Sequence, residues 1–476
     1  MKFDSSCNCQ AVVVGSGING LAAATELAGA GLKVLVIEGN ETMGGCTSTD
    51  ELTLPGYLHD VGSAVFPMAA ASPFFNSHPF IEYGLKWIKP PVAVAHPFDD
   101  GTAALLYPSV EETAETLGGD SHRYRELMSP LLENWDTLIA DLLGTFRLFH
   151  QPLKLMSFGA KSFQSATNLA RCHFTGSRAR GFISGLCAHS VIQLEHIPSA
   201  AFGIVLGLAG HAVGWPIPQG GSGKITQAIL THLEGKNVGL ITGHAIRSLE
   251  ELQNGAAQFL DITPRQFLGM AGSRLSGNYA GMLKQFRYGP GVFKMDWAMS
   301  EPIPWKAKEC LLAGTVHIGG SMGSIALSER EIWQDKVPLN PFVILAQPTL
   351  FDDTRAPSGR HIAWAYCHIP NGFTGDMTAQ IEAQIERFAP GFREIILARS
   401  IQNTADLERL NPNLIGGDIT GGAQVLSQIF TRPALRWDPY STTLKNVYLC
   451  SASTPPGAGV HGMCGAHAAA SYLRTL

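Results

Sequence analysis

The sequence predicts an α/β protein that combines a Rossmann-type nucleotide-binding domain with further α+β and helical regions, and three observations lead to this prediction. Residues 11–38 have the order strand, glycine-rich turn, helix, strand and acid. The chain of 476 residues is too long for one ordinary hydrophobic core. Residues 446–473 repeat the order of apolar strand, glycine-rich turn and helix at the far end of the chain.

The first of these segments has the features of a buried βαβ unit. Residues 11–14 form a continuous apolar run, which is typical of a parallel strand covered on both faces. A Gly-x-Gly-x-x-Gly motif follows at once, and the small residues at 21–30 favour a helix. Residues 33–37 then predict a second strand, which ends at an acid. Because all parts arrive in this order, we expect a dinucleotide site here.

Each part of this unit has a physical task. We expect Gly15 to permit the tight turn, Gly17 to let the backbone approach a diphosphate, and Gly20 to let the helix lie close to the strand. The helix N-terminus supplies N–H groups and a positive dipole end to the phosphates. Glu38 is placed to accept both hydroxyls of an adenosine ribose, and its charge disfavours a 2′-phosphate.

Composition excludes some classes of protein. Charged residues make up 15% of the chain, the net charge is −5, and nothing predicts binding to nucleic acid. The nine cysteines are scattered and form no metal-binding pattern, so we expect no metal and a reducing, cytoplasmic compartment. The uncharged segment 200–215 is shorter than a membrane span, which predicts a buried core helix.

The middle of the chain predicts a helical region and a return to the nucleotide unit. Residues 111–149 have helical periodicity with one apolar face. The segment 142–194 contains no acid, and its basic residues alternate with aromatic ones. This pattern fits a solvated helical cap with a positive face, a face that contacts a membrane peripherally, or the rim of a channel for an acidic lipid.

Later segments predict more strands and helices. Residues 219–224 (QGGSGK) imitate a phosphate-binding loop, but Pro218 and Ile225 stand where that motif needs glycine and a hydroxyl residue. We instead expect a glycine-opened helix there. The remaining predictions are strands at 238–242, 245–249, 341–349, 361–369 and 446–452, a strand that ends at 261–264, and helices at 381–388 and 466–473.

Motifs along the whole chain resemble the phytoene-desaturase-related flavoproteins of the flavin amine oxidase superfamily. They include the glycine doublet of ETMGG, HDVGSAVFP, GWPIPQGGSGKITQAI, RYGPGVFKMDWAM and YLCSASTPPGAGVHGMCGAHAA. The resemblance implies a discontinuous FAD-binding domain at 10–90, 215–285 and 435–476. It also implies an inserted α+β substrate domain at 91–214 and 286–434, with a helical region at about 110–210.

The resemblance also implies which residues contact FAD. Two positions depart from the family pattern: Cys46 stands where an arginine is usual, and Ser451-Ala452 replaces a glycine-acid pair. The implied FAD-binding residues are Gly15, Ser16, Gly17, Asn19, Gly20, Glu38, Gly44, Gly45, Ile246, Ala452, Gly459 and Val460.

What the resemblance implies about chemistry is the dehydrogenation of a lipophilic substrate by hydride transfer to flavin N5, with oxygen or a quinone as electron acceptor. Candidate side chains near the flavin are His461, Lys294, Asp296 and Trp297. In a strand, Lys294 and Asp296 face the same side and can form an ion pair. Cys464 is either a covalent flavin attachment or a small buried residue.

Three alternatives remain open at this point. A flavin-dependent isomerase would rearrange a polyene without net redox change. An amine oxidase would need an aromatic cage beside the flavin. A flavoprotein without enzymatic activity would use the same fold as a binding partner. The sequence leaves the substrate and the oligomeric state undetermined.

Overall fold

Two β-sheets and a layer of helices organise the computed structural model, which describes residues 9–145, 152–253 and 255–476, with backbone only for 152–155. The first sheet has five parallel strands in the order Val447–Leu449, Ala257–Leu260, Ala11–Val14, Val34–Ile37 and Val238–Ile241. Its strands come from three distant parts of the chain. The apolar strands Ala11–Val14 and Val34–Ile37 are fully buried, as expected for parallel strands covered on both faces, whereas the edge strand Val238–Ile241 is partly exposed.

One predicted strand is absent from this sheet. Residues 245–249 leave the ladder, and a short 3₁₀ helix, Leu249–Glu251, follows. The carboxylate of Glu251 accepts hydrogen bonds from the backbone N–H groups of Arg247 and Ser248. The Ser248 hydroxyl accepts from the N–H of Glu250. These local bonds replace the strand pairing that the sequence predicted.

The helix after the glycine motif, Ile18–Gly29, packs closely against the last helix, Met463–Leu473. A Cβ atom at Gly465 would lie 1.8 Å from the carbonyl oxygen of Asn19, so only glycine permits this approach. The last helix begins at Met463, three residues before the predicted start at Ala466, and Gly462 with φ 70° precedes it.

The second sheet is mixed and has seven strands. In spatial order they are Ile396–Gln402, Gly291–Met299, His361–Ile369, Val343–Ala346, Ala313–Ile318, Val92–Pro97 and Ala103–Leu106. All neighbouring pairs are antiparallel except Ala313–Ile318 with Val92–Pro97. One face of this sheet packs on a separate apolar core that includes helix Thr378–Phe388. Two short ribbons, Thr49–Asp50 with His59–Asp60 and Trp87–Ile88 with Ile217–Pro218, complete the strands.

The predicted helical region is divided into shorter helices. The expected apolar face at Leu127, Leu131 and Leu138 is buried, but the chain breaks around residues 118–120 and 133–134. The α-helices not yet named are Pro67–Ala71, Pro73–Ser77, Val110–Glu115, Ser121–Leu132, Trp135–Leu142, Pro152–Ser162, Ala166–His173, Ser177–Ala188, Ser199–Ala212, Gly223–Leu233, Pro264–Ala271, Gly277–Lys284, Met322–Ile332, Thr404–Leu410 and Leu426–Ile429.

The uncharged segment forms helix Ser199–Ala212, most of which is buried in the core, as the sequence predicted. Within the described ranges, none of the helices has both the length and the apolar character needed to cross a bilayer. Part of the basic and aromatic segment, residues 146–151, lies outside the described residues. The predicted domain boundaries stay a prediction.

Candidate functional site

A cavity of about 940 Å³ lies where the carboxyl ends of the parallel sheet meet the mixed sheet and the helical layer. Its volume falls in the range of small-molecule sites, and the end of a parallel sheet is where such folds bind nucleotides. We call the part beside the glycine motif the nucleotide end and the part beside helices Trp135–Leu142, Pro152–Ser162 and Ser199–Ala212 the apolar end.

The nucleotide end is built by the first turn of helix Ile18–Gly29. Gly15 has φ +97° and Gly17 precedes the helix, so the backbone turns tightly at the cavity wall. The Oδ1 atom of Asn19 is buried and has no hydrogen-bond partner within the protein, although Asn19 lines the cavity. A ligand that satisfies this atom and the N–H groups of the first turn fits this wall.

Glu38 lies at the end of the second strand and lines the same wall. Its carboxylate accepts hydrogen bonds from the Ser16 N–H at 2.8 Å, the Ser16 hydroxyl at 2.6 Å and the Asn40 N–H at 2.9 Å. The Ser16 hydroxyl also accepts from the N–H of Gly44 at 3.0 Å. Ser16 therefore ties the acid to the glycine doublet, and neither Ser16 nor Gly20 lines the cavity itself.

The other predicted FAD-binding residues lie in the cavity wall. They are Gly15, Gly17, Asn19, Glu38, Gly44, Gly45, Ile246, Ala452, Gly459 and Val460. Gly20 has a packing role instead, since a Cβ there would lie 2.0 Å from the Gly15 carbonyl oxygen. At the position where the family has an arginine, the Sγ of Cys46 accepts a hydrogen bond from Asn411 at 3.2 Å.

Sequence reasoning missed Asp261, which follows strand Ala257–Leu260 and lines the nucleotide end. One of its carboxylate oxygens accepts a hydrogen bond from the Gly20 N–H at 3.1 Å. The pKa of this carboxyl is raised to about 7, chiefly by burial, with the hydrogen bond from Gly20 opposing the rise and the nearby charge of Glu38 adding to it. The acid that ends the strand in DITP is the signal that could have found it.

Lys294 and Asp296 form the predicted ion pair on the cavity side of the mixed sheet. Lys294 lines the cavity, whereas Asp296 lies behind it. The other carboxylate oxygen of Asp296 is 3.7 Å from Nδ1 of His59, whose Nε2 is 2.7 Å from the Thr53 hydroxyl. Burial raises the pKa of Asp296 to about 6, and Lys294 opposes that rise.

This ion pair is part of a larger buried charge cluster. Arg355 donates a hydrogen bond to Asp60 at 2.9 Å, and both side chains are buried beside His59. The pKa of His59 is lowered to about 3, chiefly by burial and in addition by the charges of Lys294 and Arg355. His59 is therefore neutral between two acid–base pairs, and the cluster holds Lys294 at the wall.

His461 lines the cavity between its two ends. Its Nδ1 accepts a hydrogen bond from the Met463 N–H at 3.0 Å, so Nε2 carries the ring proton. Burial lowers the pKa of His461 to about 4, which keeps the ring neutral at physiological pH. The side chain can donate one hydrogen bond to a ligand without adding charge.

Two further candidates lie away from the cavity wall. Trp297 points to the opposite face of the sheet, where it packs in the apolar core and donates to Glu382, so its predicted place beside the flavin is wrong. Alternation along the strand puts it on the side away from Lys294. Cys464 is buried under the cavity, and burial raises its thiol pKa to about 11, as expected for a small buried residue.

The apolar end is walled by large aliphatic and aromatic side chains from its three helices, from the residues that follow these helices and from the mixed sheet. Trp364 lies here, and its Nε1 is buried without a hydrogen-bond partner within the protein. Across the whole described wall the Asp, Glu, Lys and Arg side chains are Glu38, Asp141, Asp261 and Lys294. The apolar lining comprises Leu142, Leu143, Phe158, Phe163, Phe202, Val205, Leu206, Trp215, Ile344, Trp364 and Tyr366.

The described residues contain no group of three or more histidine, cysteine or acidic side chains arranged to hold a metal ion. The cavity suits an organic ligand that is polar and anionic at one end and apolar at the other, because a helix N-terminus lines one end and large apolar side chains line the other.

Comparison with known proteins agrees with this arrangement. Residues 13–77 match the family of NAD(P)-binding Rossmann-like domains. The chain is 23% identical to pyridine nucleotide-disulfide oxidoreductase domain-containing protein 2 of Rattus norvegicus, over 98% of this chain and 93% of the relative. It is 23% identical to 4,4'-diapolycopen-4-al dehydrogenase of Metabacillus indicus, over 94% and 93% of the two chains. It is 25% identical to prolycopene isomerase 2 of an Oncidium hybrid cultivar, over 50% and 43%.

Solved structures show the same fold. An oxidoreductase from Methanosarcina mazei has a TM-score of 0.66 and 14% identity, over 98% of this chain and 99% of that chain. Cyclohexylamine oxidase from Brevibacterium oxydans has a TM-score of 0.60 and 13% identity, over 98% and 99%. The fold class and the resemblance predicted from the sequence are confirmed, and together these similarities indicate an oxidoreductase.

Proposed function

We propose that this chain is an FAD-dependent enzyme that dehydrogenates a lipophilic substrate. The observation that carries the proposal is the single cavity that joins a glycine-lined nucleotide end to an apolar end. A dinucleotide occupies the first end in this proposal, and the substrate occupies the second. The reacting atoms then meet beside Lys294 and His461.

The nucleotide end fits FAD. The first helical turn and Asn19 would hold the diphosphate, Glu38 would hold the ribose, and Ile246 would lie on the adenine side; these residues line the cavity. Ala452, Gly459 and Val460, which also line it, would offer backbone to the ribityl chain and flavin ring. Once bound, FAD supplies an acceptor for a hydride from carbon. The protein's share is to orient the substrate, exclude water and manage the proton.

Lys294 and His461 are the side chains proposed to orient the substrate and to manage the proton. Lys294 is held at the wall by Asp296, so its ammonium group keeps one position and one partner. Neutral His461 donates from Nε2, which suits a carbonyl or ring nitrogen of the ligand. The start of helix Met463–Leu473 directs a positive dipole end towards the same region.

The apolar end supports a lipophilic substrate. Phe163 lines it and is 52% exposed, so the cavity reaches the surface at this helix end. Met156, on the same helix, is 68% exposed. An apolar molecule can enter here, because moving its surface from water into an apolar cavity is favourable. This is also where we place a peripheral membrane contact. Oxygen or a quinone is the electron acceptor in this proposal.

A second candidate is an amine oxidase, and one observation favours it. The rings of Trp364 and Tyr366 lie 5.2 Å apart at 75° beside Lys294, on the cavity side of the sheet. Two aromatic faces at this place are what an amine substrate would need. The isomerase alternative uses the same cavity without net electron transfer.

The test is to purify the full chain, record its visible spectrum and expose it anaerobically to panels of polyenes, fatty compounds and amines. We expect a flavin spectrum that an apolar substrate bleaches. Bleaching by an amine alone would favour the second candidate, and product formation without bleaching or acceptor would favour the isomerase. Glu38→Ala is expected to lower FAD occupancy, whereas Glu41→Ala at the exposed surface serves as the matched control. A folded protein that binds no FAD at any concentration would refute the proposal.

A further inference from the structure

The carboxyl group of Asp261 lies inside the glycine turn of the nucleotide end. Its Oδ2 atom accepts the Gly20 N–H at 3.1 Å. A Cβ atom at Gly17 would lie 2.7 Å from this oxygen, and one at Gly15 would lie 3.1 Å from the Cβ of Asp261. The carboxyl is therefore packed against the same loop that is expected to receive a diphosphate.

This position brings two anions to one helix terminus. Gly20 belongs to the first turn of helix Ile18–Gly29, whose N–H groups and dipole attract negative charge. Asp261 uses one of these groups and lines the cavity. An ionised Asp261 would already occupy part of the positive potential at the helix terminus. It would also repel a bound diphosphate, and this repulsion is strong because little water separates the two charges.

The surroundings of Asp261 do not compensate its charge. Among the described residues, the charged group that acts on it is another acid, Glu38. Cys46, Cys450 and Cys464 are also close enough to interact with it, and burial raises the pKa of each thiol, so they are uncharged at neutral pH. Burial itself raises the pKa of Asp261 to about 7.

Building on the proposed function, we propose that Asp261 is a proton-coupled part of the dinucleotide site, and that it takes up one proton from solvent when FAD binds. The carboxylate becomes a neutral acid, no other bond changes, and its carbonyl oxygen still accepts the Gly20 N–H. The bound diphosphate then has no adjacent negative charge at the helix terminus.

The expected pH dependence has a definite sign. Below pH 7 Asp261 is protonated before and after binding, so the FAD dissociation constant is independent of this group. Above pH 7 the free protein must first take up a proton. The dissociation constant then rises by up to about tenfold per pH unit until the pKa of the complex is reached. Asp261→Asn mimics the neutral acid and is expected to bind FAD with no such rise.

The experiment titrates the full chain, freed of flavin, with FAD between pH 6 and 9 and follows the quenching of flavin fluorescence. Calorimetry at pH 8 in two buffers of different ionisation enthalpy counts the protons taken up. His244 is another titratable residue of the wall, so His244→Gln is the matched control and is expected to keep the slope above pH 7.

The outcomes separate this inference from the proposed function. A rising dissociation constant with proton uptake in the wild-type protein, both lost in Asp261→Asn, supports the inference. FAD binding that is independent of pH without proton uptake overturns it, as does a slope that persists in Asp261→Asn. If that variant does not fold, proton uptake by the wild-type protein decides. Failure to bind FAD at every pH overturns the proposed function instead.

Discussion

The two ends of the cavity are built in different ways. At the nucleotide end, glycines let the backbone form the wall. The polar groups there include main-chain N–H groups and the carboxyl groups of Glu38 and Asp261. At the apolar end, large side chains from separate helices and the mixed sheet form the wall. The first end therefore depends on the absence of Cβ atoms, and the second on the shape of side chains.

The two ends are therefore expected to determine different properties, cofactor binding at one end and substrate choice at the other. In the proposed function, nucleotide binding depends on the close approach of backbone segments, so an added side-chain atom there disturbs the fold itself. The choice of substrate depends on the volume that side chains leave open, so changes there can alter a ligand without altering the fold. The charge cluster around Lys294 lies between the two ends and belongs to neither type.

The largest effect is expected for an added side chain at the nucleotide end. In Gly20→Val, the new Cβ would lie 2.0 Å from the Gly15 carbonyl oxygen, a backbone atom that cannot rotate away as a flexible side chain could. We expect a loss of about 3 kcal/mol or more in the free energy of unfolding and loss of FAD binding. Urea unfolding and FAD titration measure these two effects.

The control for this substitution lies on the same helix. A Cβ at Gly29 meets nothing within 4 Å, so Gly29→Ala is expected to stabilise by roughly 0.5–1 kcal/mol. Equal effects of the two substitutions would contradict the account of the nucleotide end.

The buried ion pair gives the next largest effect. Asp296→Leu leaves the ammonium group of Lys294 buried without its partner, and removal of one member of such a pair costs about 3–5 kcal/mol. The double variant Lys294→Met/Asp296→Leu is expected to recover most of this loss. Urea unfolding of the wild type, of Lys294→Met, of Asp296→Leu and of the double variant tests the coupling. Losses of the two single variants that simply add in the double variant would show that the two residues do not interact.

A smaller effect on stability, but a clear effect on ligand binding, is expected at the apolar end. Val205→Trp fills part of the cavity from helix Ser199–Ala212. We expect binding of a lipophilic dye such as Nile red to fall at least about tenfold, while FAD affinity stays within about twofold. Val337→Trp on the exposed surface is the control. Equal losses of dye and FAD would show that the two ends are not independent.

The smallest effect is expected when the pH is lowered from neutrality, which should reduce the free energy of unfolding gradually. Burial lowers the pKa of His96, His211 and His461 to about 4, below the value of an exposed histidine. The unfolded chain then binds more protons between about pH 6.5 and 4, so stability falls as the pH falls through this window. Each histidine contributes a slope of up to about 1.4 kcal/mol per pH unit. His96→Asn is expected to reduce this slope in urea unfolding at pH 5 and 7, and an unchanged slope would contradict it.

The sequence was sufficient for features encoded by neighbouring residues. The order of strand, glycine turn and helix predicted residues 11–37 closely, and the alternation of a strand predicted that Lys294 and Asp296 share a face. The same alternation also places Trp297, one residue beyond Asp296, on the other face of the strand. The prediction that Trp297 lies beside the flavin overlooked this.

Features formed by distant segments could not be predicted in this way. Asp261 meets the glycine turn across more than 240 residues, and Asn411 reaches Cys46 across more than 360. The local sequence pattern does not reveal these contacts, because only tertiary packing brings the segments together. The missing strand at 245–249 has a different cause, since local capping bonds competed successfully with the sheet.

The most direct test of the account is the titration of the full chain with FAD, with the Glu38→Ala variant beside it. We predict that one FAD binds per chain with quenched flavin fluorescence. We also predict that Glu38→Ala binds FAD at least about tenfold more weakly, because the carboxylate proposed to accept the ribose hydroxyls is lost. A folded wild-type protein that leaves FAD fluorescence unchanged would contradict the central claim.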